Sequence, residues 1–251
     1  LRILNKIDHF IGQYIPVQEV GWTEKLNMYP ESELTMDDLE WGLYRDKERD
    51  KDVAPLIAWL RLLSTKESRK FHIFEAIYKI FQENDYSSVL EIGSGQCHIS
   101  ALLASAGYKV QASEIGAQKL LIQDISDLNL PVREQRLEDI NGDILQDIDC
   151  ILAVQVDYIF NDKALRELLK TAKKTATDIL LVNTQIIGPL QWLKYLFQKE
   201  TRSRNINIKE HGFVRSIGLY KKMAKELGFQ ITVNRKLNAL PSYYFILMSN
   251  H

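Results

Sequence analysis

The chain has 251 residues, 45% apolar and 26% charged, enough to bury a sizeable core without disulfides or structural metals. Its 32 Lys and Arg against 33 Asp and Glu give a formal net charge of -1, which disfavours a nucleic-acid-coating protein while leaving room for a local basic groove. Cys97 and Cys150 are too few for a disulfide scaffold or a four-thiolate metal site, and with no bilayer-length apolar run or signal-peptide pattern the expectation is a cytoplasmic protein without membrane insertion.

In chain order, LRILNKIDHFIGQYI is an amphipathic segment, followed by a polar, turn-rich stretch to about Thr35. MDDLEWGLYRDKERDKD reads as a solvated helix with Trp41, Leu43 and Tyr44 turned inward. VAPLIAWLRLLS and RKFHIFEAIYKIFQEN are further helices. The second repeats Phe71, Phe74, Ile77, Tyr78 and Phe81 at a 3.6-residue period. Residues 1–85 therefore read as a helical extension or substrate cover, and 86–251 as a sheet domain.

From Ser88 short apolar runs alternate with helices. Val89 to Ile92 is a buried strand, HISALLASAG a helix closed by Gly107, and KVQASE a strand ending at Glu114. GAQKLLIQDISDL is a helix, VREQRL a weak strand, CILAV a strong one, DKALRELLKTAKK a helix and DILLVN a fifth strand. Such alternation means an α/β fold, with a mostly parallel sheet covered on both faces. The helix GLYKKMAKELGF then precedes FQITVNR and YYFILMS, which stand too close for a crossover helix. They are expected as an antiparallel C-terminal hairpin at the sheet edge.

The segment EIGSGQCH, from Glu91 to His98, lies where a strand turns into a helix. Glycines there allow a tight turn and close ligand approach, and the helix start exposes amide donors. Glu114 follows Gly95 by 19 residues, at the end of the next strand, where a carboxylate can accept both hydroxyls of an adenosine ribose. A structural turn beside an acidic surface residue is the bland alternative. His98 stands where a dinucleotide fingerprint needs its third glycine, and Glu91 would repel a pyrophosphate. A nucleoside ligand carrying positive charge suits the loop better.

The stretch VLEIGSGQCHISALLASAGYKVQASEIG resembles motif I and the ribose-binding strand of class I S-adenosylmethionine-dependent methyltransferases. DCILAVQVDYIFNDKALRELLK is similar to their fourth strand and following helix. VRSIGLYKKMAKELGFQI looks like the segment after strand five in the ubiquinone-biosynthesis and related small-molecule methyltransferases. The resemblance covers roughly residues 70–249. It implies a Rossmann-like sheet of seven strands and S-adenosyl-L-methionine as cofactor. Residue by residue, it places Glu91 near the methionine amino group, Gly93 and Gly95 under the methionine and ribose, Gln96 beside the loop and Glu114 on the ribose. Asp139 in LEDI, or Glu138 if the alignment slips by one, matches the acid that receives the adenine amino group, with Ile140 against the base. Gln155 falls on the methyl-donor side.

Two departures concern catalysis. Many relatives carry a histidine after strand four, where this chain has Tyr158. His211 stands two residues before the histidine position of the usual H-V-R pattern, which Phe213 fills ahead of Val214 and Arg215. Tyr158, His211 and Arg215 are the candidates on the acceptor side: Tyr158 to orient the acceptor, His211 for proton transfer, Arg215 to contact an anion. Their structural alternatives are a packed aromatic, a lid residue and a solvated basic face. Asp157 reads as a base or as a helix-start surface acid, and Cys97 as loop packing. Residues 191–225 carry nine basic and two acidic residues, within or beside a 185–212 lid insertion with Trp192 and Tyr195. Tyr44 and Arg45 could reach the site from the N-terminal cover.

The expected activity is methyl transfer to a small-molecule acceptor, anionic or sugar-like, with oxygen preferred. The alternatives are methylation of RNA or protein through the basic segment, and a non-catalytic interaction module of the same fold. Nucleic acid is the disfavoured partner, no metal is expected, and the sequence carries no signal for an oligomeric state.

Overall fold

The computed structural model describes residues 14, 18–20, 68–95, 97–114, 130–183, 186, 212–237 and 240–250. The expected helices before residue 65, the helix GAQKLLIQDISDL, and the 185–212 insertion other than Ile186 and Gly212 lie outside them. So do Tyr44, Arg45, Trp192 and Tyr195.

In chain order the elements are β1 (Gln18–Val20), α1 (Ser68–Glu83), β2 (Ser88–Ile92), α2 (His98–Ser105), β3 (Lys109–Glu114) and β4 (Val132–Glu134). There follow α3 (Gly142–Leu145), β5 (Cys150–Val154), α4 (Asp162–Lys174), β6 (Asp178–Asn183), β7 (Gly212–Val214), α5 (Ile217–Glu226), β8 (Gln230–Leu237) and β9 (Leu240–Ser249). Single 3₁₀ turns occupy Leu137–Asp139 and Asp157–Ile159. Seven strands form one sheet in the order β4-β3-β2-β5-β6-β9-β8, a Rossmann-like arrangement. β2 runs parallel to β3, β3 to β4, and β5 to β6, whereas β9 runs antiparallel to β6. The expected antiparallel end is present, with β8 at the edge. Among the described residues, no helix is long and apolar enough to cross a membrane.

By internal contacts the chain divides into two compact units, one holding α1 through β4. In it β2 is buried at all five positions, as a central parallel strand must be. Helix α1 buries Ile73, Ala76, Ile77, Ile80 and Phe81. This stripe is rotated from the expected one: Phe74 and Tyr78 are only half-buried. The aliphatic residues satisfy the same 3.6-residue period and leave the larger rings on the flank. Phe81 meets Tyr86 and Tyr108 edge-on, each at a centroid distance of 5.4 Å.

The other unit holds β1 and most of the chain from Leu137 onward. β5 and β6 are apolar runs paired from Cys150–Asp178 to Val154–Val182. Helix α4 buries Leu165, Leu168, Leu169 and Ala172, the amphipathic stripe its sequence predicts. The end of β9 is anchored by the Asp178 carboxylate, which accepts the Asn250 amide at 2.8 Å. Sequence patterning gives no sign of β1 or β7. They pair antiparallel, Gln18 with Val214 through Val20 with Gly212. Three-residue strands lack the length for a periodic signature; their partner, far along the chain, defines them.

At the start of α4 the Asn161 side chain accepts the Ala164 amide at 2.8 Å. Replacing it, Asn161→Ala, is expected to lower the unfolding free energy by about 1 kcal/mol, measured by urea denaturation. An unchanged midpoint would mean that this cap adds nothing.

Candidate functional site

The turn between β2 and α2 is built on left-handed backbone: Gly93 has φ 62°, Gly95 φ 53° and Cys97 φ 57°. Glycine enters this region without strain, whereas Cys97 does so at a cost. Three hydrogen bonds hold the turn against the end of β3. The Ser94 amide donates to the Ser113 carbonyl at 3.1 Å, and the Ser94 hydroxyl to the same carbonyl at 3.3 Å. The Gly95 amide donates to the Glu114 carboxylate at 2.7 Å. The 19-residue spacing thus brings glycine and acid into direct contact. A Cβ added at Gly95 would meet nothing within 4 Å. The glycine is favoured by its backbone angle, and a Cβ there would find room.

Glu91, on β2 just before the turn, is 2% exposed. The Ser100 hydroxyl of α2 donates to its carboxylate, and the Ser113 hydroxyl donates to its backbone carbonyl at 3.3 Å. Burial pushes the Glu91 carboxyl up to about 7, against the lowering effect of the Ser100 hydrogen bonds, and the Glu114 charge adds to the rise. Burial likewise pushes the Cys97 thiol up to about 11. A thiol so protonated is a packing group, in keeping with its expected role and with a position 3.2 Å from the Ser94 hydroxyl.

The end of β5 carries a second strained position. Gln155 has φ 57°, uncommon for a residue other than glycine, asparagine or aspartate. Its amide nitrogen donates to the Val182 carbonyl at 2.7 Å, and its side-chain amide to the Tyr243 hydroxyl at 2.9 Å. In the following 3₁₀ turn Asp157 is buried, Tyr158 half-buried and Ile159 46% exposed. The buried Asp157 carboxylate accepts the Tyr220 hydroxyl, which excludes the surface-acid reading.

Arg215 also departs from expectation, because it is 0% exposed. Its Nε donates to Asp162 at 2.8 Å, Nη1 to the carbonyls of Asp157 and Phe213 at 3.3 Å each, and Nη2 to the carbonyl of Phe160. It is buried, with its fork bonded to the protein's own backbone and to Asp162. Asp139 is exposed at the end of its 3₁₀ turn, and Ile140 is buried behind it. The cap of α3 is Asn141, whose side chain accepts the amides of Asp143 and Ile144. Gln96, His211 and the side chain of Glu138 lie outside the described residues.

Sequence reasoning missed Ser100, Tyr220 and Tyr243. Ser100 could have been found, since it lies in the first turn of the helix that follows the glycine turn, nine residues after the buried acid. Tyr220 and Tyr243 meet their partners only across 63 and 88 residues of chain.

No protein-family model matches this sequence, and no curated protein matches it either. Solved structures do. Magnesium protoporphyrin IX methyltransferase (ChlM) from Synechocystis PCC 6803 with bound SAM is 14% identical, with a TM-score of 0.52 over 92% of this chain and 99% of that one. The DhpI-SAM-HEP complex is 14% identical, with a TM-score of 0.52 over 86% and 99%. The methyltransferase SibL in its apo form is 15% identical, with a TM-score of 0.51 over 85% and 75%. The chain has the class I S-adenosylmethionine-dependent methyltransferase fold. In that fold the turn from Gly93 to Cys97 is the segment that sequence analysis matched to motif I.

Because space is open above Gly95, Gly95→Ala is expected to cost only the backbone strain, about 1–2 kcal/mol, in a urea titration. A much larger loss would show that the position is packed, and the ligand space would then have to lie elsewhere.

Proposed function

We propose that this protein transfers a methyl group from S-adenosyl-L-methionine to a small-molecule acceptor. The observation that carries the reading is the Gly95–Glu114 contact at a strand-to-helix turn, with the carboxylate of Glu91 buried beneath that turn. The parts fit the cofactor. Glu114 accepts the Gly95 N–H, and a carboxylate is the acceptor type that ribose hydroxyls require. Glu91 is an acid for the methionine ammonium, and Gly93 and Gly95 let the ligand cross the turn. Gln96 borders the same loop, Asp139 receives the adenine amino group, Ile140 packs near the base, and Gln155 faces the methyl-donor side.

When bound, the cofactor supplies an electrophilic methyl group on a sulfonium sulfur. The chain's own task is to align an acceptor with it and exclude competing water. Tyr158 is the residue we place toward the acceptor, as a hydrogen-bond partner that orients it; His211 is the proposed proton acceptor. Oxygen is the favoured acceptor atom, because the sequence shows no acidic aromatic cage for an amine. The acceptor class, small and anionic or sugar-like, draws on the basic 191–225 segment and the lid at 185–212, with 1–85 as a cover and 86–251 as the catalytic domain. A small acceptor also accords with the Synechocystis structure, whose name specifies magnesium protoporphyrin IX. The narrower likeness to ubiquinone-biosynthesis enzymes rests on VRSIGLYKKMAKELGFQI alone.

Calorimetric titration with S-adenosylhomocysteine tests this reading. Wild type is expected to bind, and Glu114→Ala to bind at least about tenfold more weakly, a loss of roughly 1.4 kcal/mol. Absence of binding by wild type at about 1 mM ligand would overturn it.

The raised carboxyl of Glu91 predicts a pH signature. Proton and ligand ammonium compete for the same carboxylate, so affinity should fall as pH drops below about 7, by at most about tenfold per unit. Glu91→Gln should bind weakly and lose most of this slope. Stability of the unliganded protein should run the other way. A carboxyl raised in the folded state favours folding below its unfolded value, near 4.5, and that contribution is lost as pH rises through about 7. Equal pH slopes in wild type and Glu91→Gln would contradict the assignment.

A further inference from the structure

The turn leaving β5 is held from two sides by residues that come more than 50 positions later in the chain. From one side Arg215 grips backbone, reaching the carbonyls of Asp157 and Phe160 with different nitrogens of one guanidinium. From the other, the Tyr220 hydroxyl of α5 grips the Asp157 side chain. The same guanidinium continues to Asp162, the first residue of α4, at 2.8 Å. Within the turn the Ile159 amide donates to the Val156 carbonyl at 3.0 Å, and the Phe160 amide to the Asp157 carbonyl at 3.3 Å. Tyr158 and Ile159 lie between the gripped residues. Arg215 is itself fixed. Its neighbour Val214 is the last residue of β7 and pairs with Gln18 of β1, its own backbone bridges Ile186, and Ser216 caps α5 through the Leu219 amide at 3.1 Å.

We propose that Arg215 and Tyr220 are positioning residues that fix the β5 exit turn, and through it Tyr158 and Ile159, in the orientation presented to the acceptor. The acceptor side of this statement rests on the methyl-transfer reading above; the clamp itself rests on the hydrogen bonds. A lysine cannot replace the arginine, because an ammonium lacks the planar fork that spans three carbonyls and a carboxylate at once. Ile159, next to Tyr158 in the turn, adds an exposed aliphatic surface.

Hydrogen exchange read by mass spectrometry tests the clamp on the full chain, using wild type, Tyr220→Phe and Arg215→Lys. Each protein is measured alone and with S-adenosylhomocysteine at about 1 mM. Tyr220→Phe removes only a hydroxyl, and Arg215→Lys keeps the charge. In both variants the amides of residues 158–161 should exchange at least about tenfold faster. Exchange in β2 and α2 should be unchanged, and affinity for S-adenosylhomocysteine should stay within about threefold. A merely global stabilising role would instead accelerate exchange in all of these segments together. That result overturns the proposal, as does unaltered exchange at 158–161 in both variants or full protection in Arg215→Lys. Wild type that fails to take up S-adenosylhomocysteine while the variants show the local acceleration would remove the methyl-transfer reading and leave the clamp standing.

Discussion

The hydrogen bond from the Gly95 amide to the Glu114 carboxylate, 2.7 Å long, is the constraint on which the candidate cofactor turn depends. A charged acceptor holding a backbone donor makes one of the stronger hydrogen bonds available to a protein. It can form only if β2 and β3 lie parallel in the observed register and the turn rises at left-handed angles. Glycine at 93 and 95 makes those angles cheap. Beneath the turn, Glu91 is the consequence of placing an acid in a fully buried central strand. Its ionised form is penalised by burial, and the Ser100 hydroxyl compensates only in part. The turn thus combines a rigid backbone, open space above Gly95 and a carboxyl whose charge responds to pH near neutrality.

A comparable economy of contacts governs the carboxyl end of β5, described by itself. Gln155 is held at a left-handed angle by one backbone bond and by Tyr243. The turn after it receives hydrogen bonds from Arg215 and Tyr220. Burying a guanidinium is costly unless its donors are satisfied. Four hydrogen bonds, one of them to the Asp162 carboxylate, meet that demand here. Strain and buried charge both collect at strand exits, where residues that meet ligands need fixed orientations.

Much of the fold was legible because its elements are periodic and local. CILAV, DILLVN and DKALRELLKTAKK announce β5, β6 and α4 to the residue, since apolar runs and a capped amphipathic stripe need no distant information. The glycine turn and Glu114 were legible for a related reason: one strand–helix–strand unit sets their separation. Other features were hidden by sequence distance. Arg215 reads on the sequence as a cation in a basic stretch, and only contacts reaching back 53 to 58 residues reveal it as an internal clamp. Asp157 reads as a helix-start acid because nothing local shows Tyr220 above it. β1 and β7 are visible only as a pair. In α1, two apolar stripes share one period, and only the folded structure shows that Ile73, Ala76 and Ile80 are the ones buried.

The most direct measurement is a crystal structure of the protein grown with S-adenosylhomocysteine. The expected result is ligand across Gly93 and Gly95, its ribose hydroxyls on the Glu114 carboxylate and its amino group toward Glu91. Ligand bound elsewhere, with nothing across the turn and no ribose contact at Glu114, would contradict the assignment.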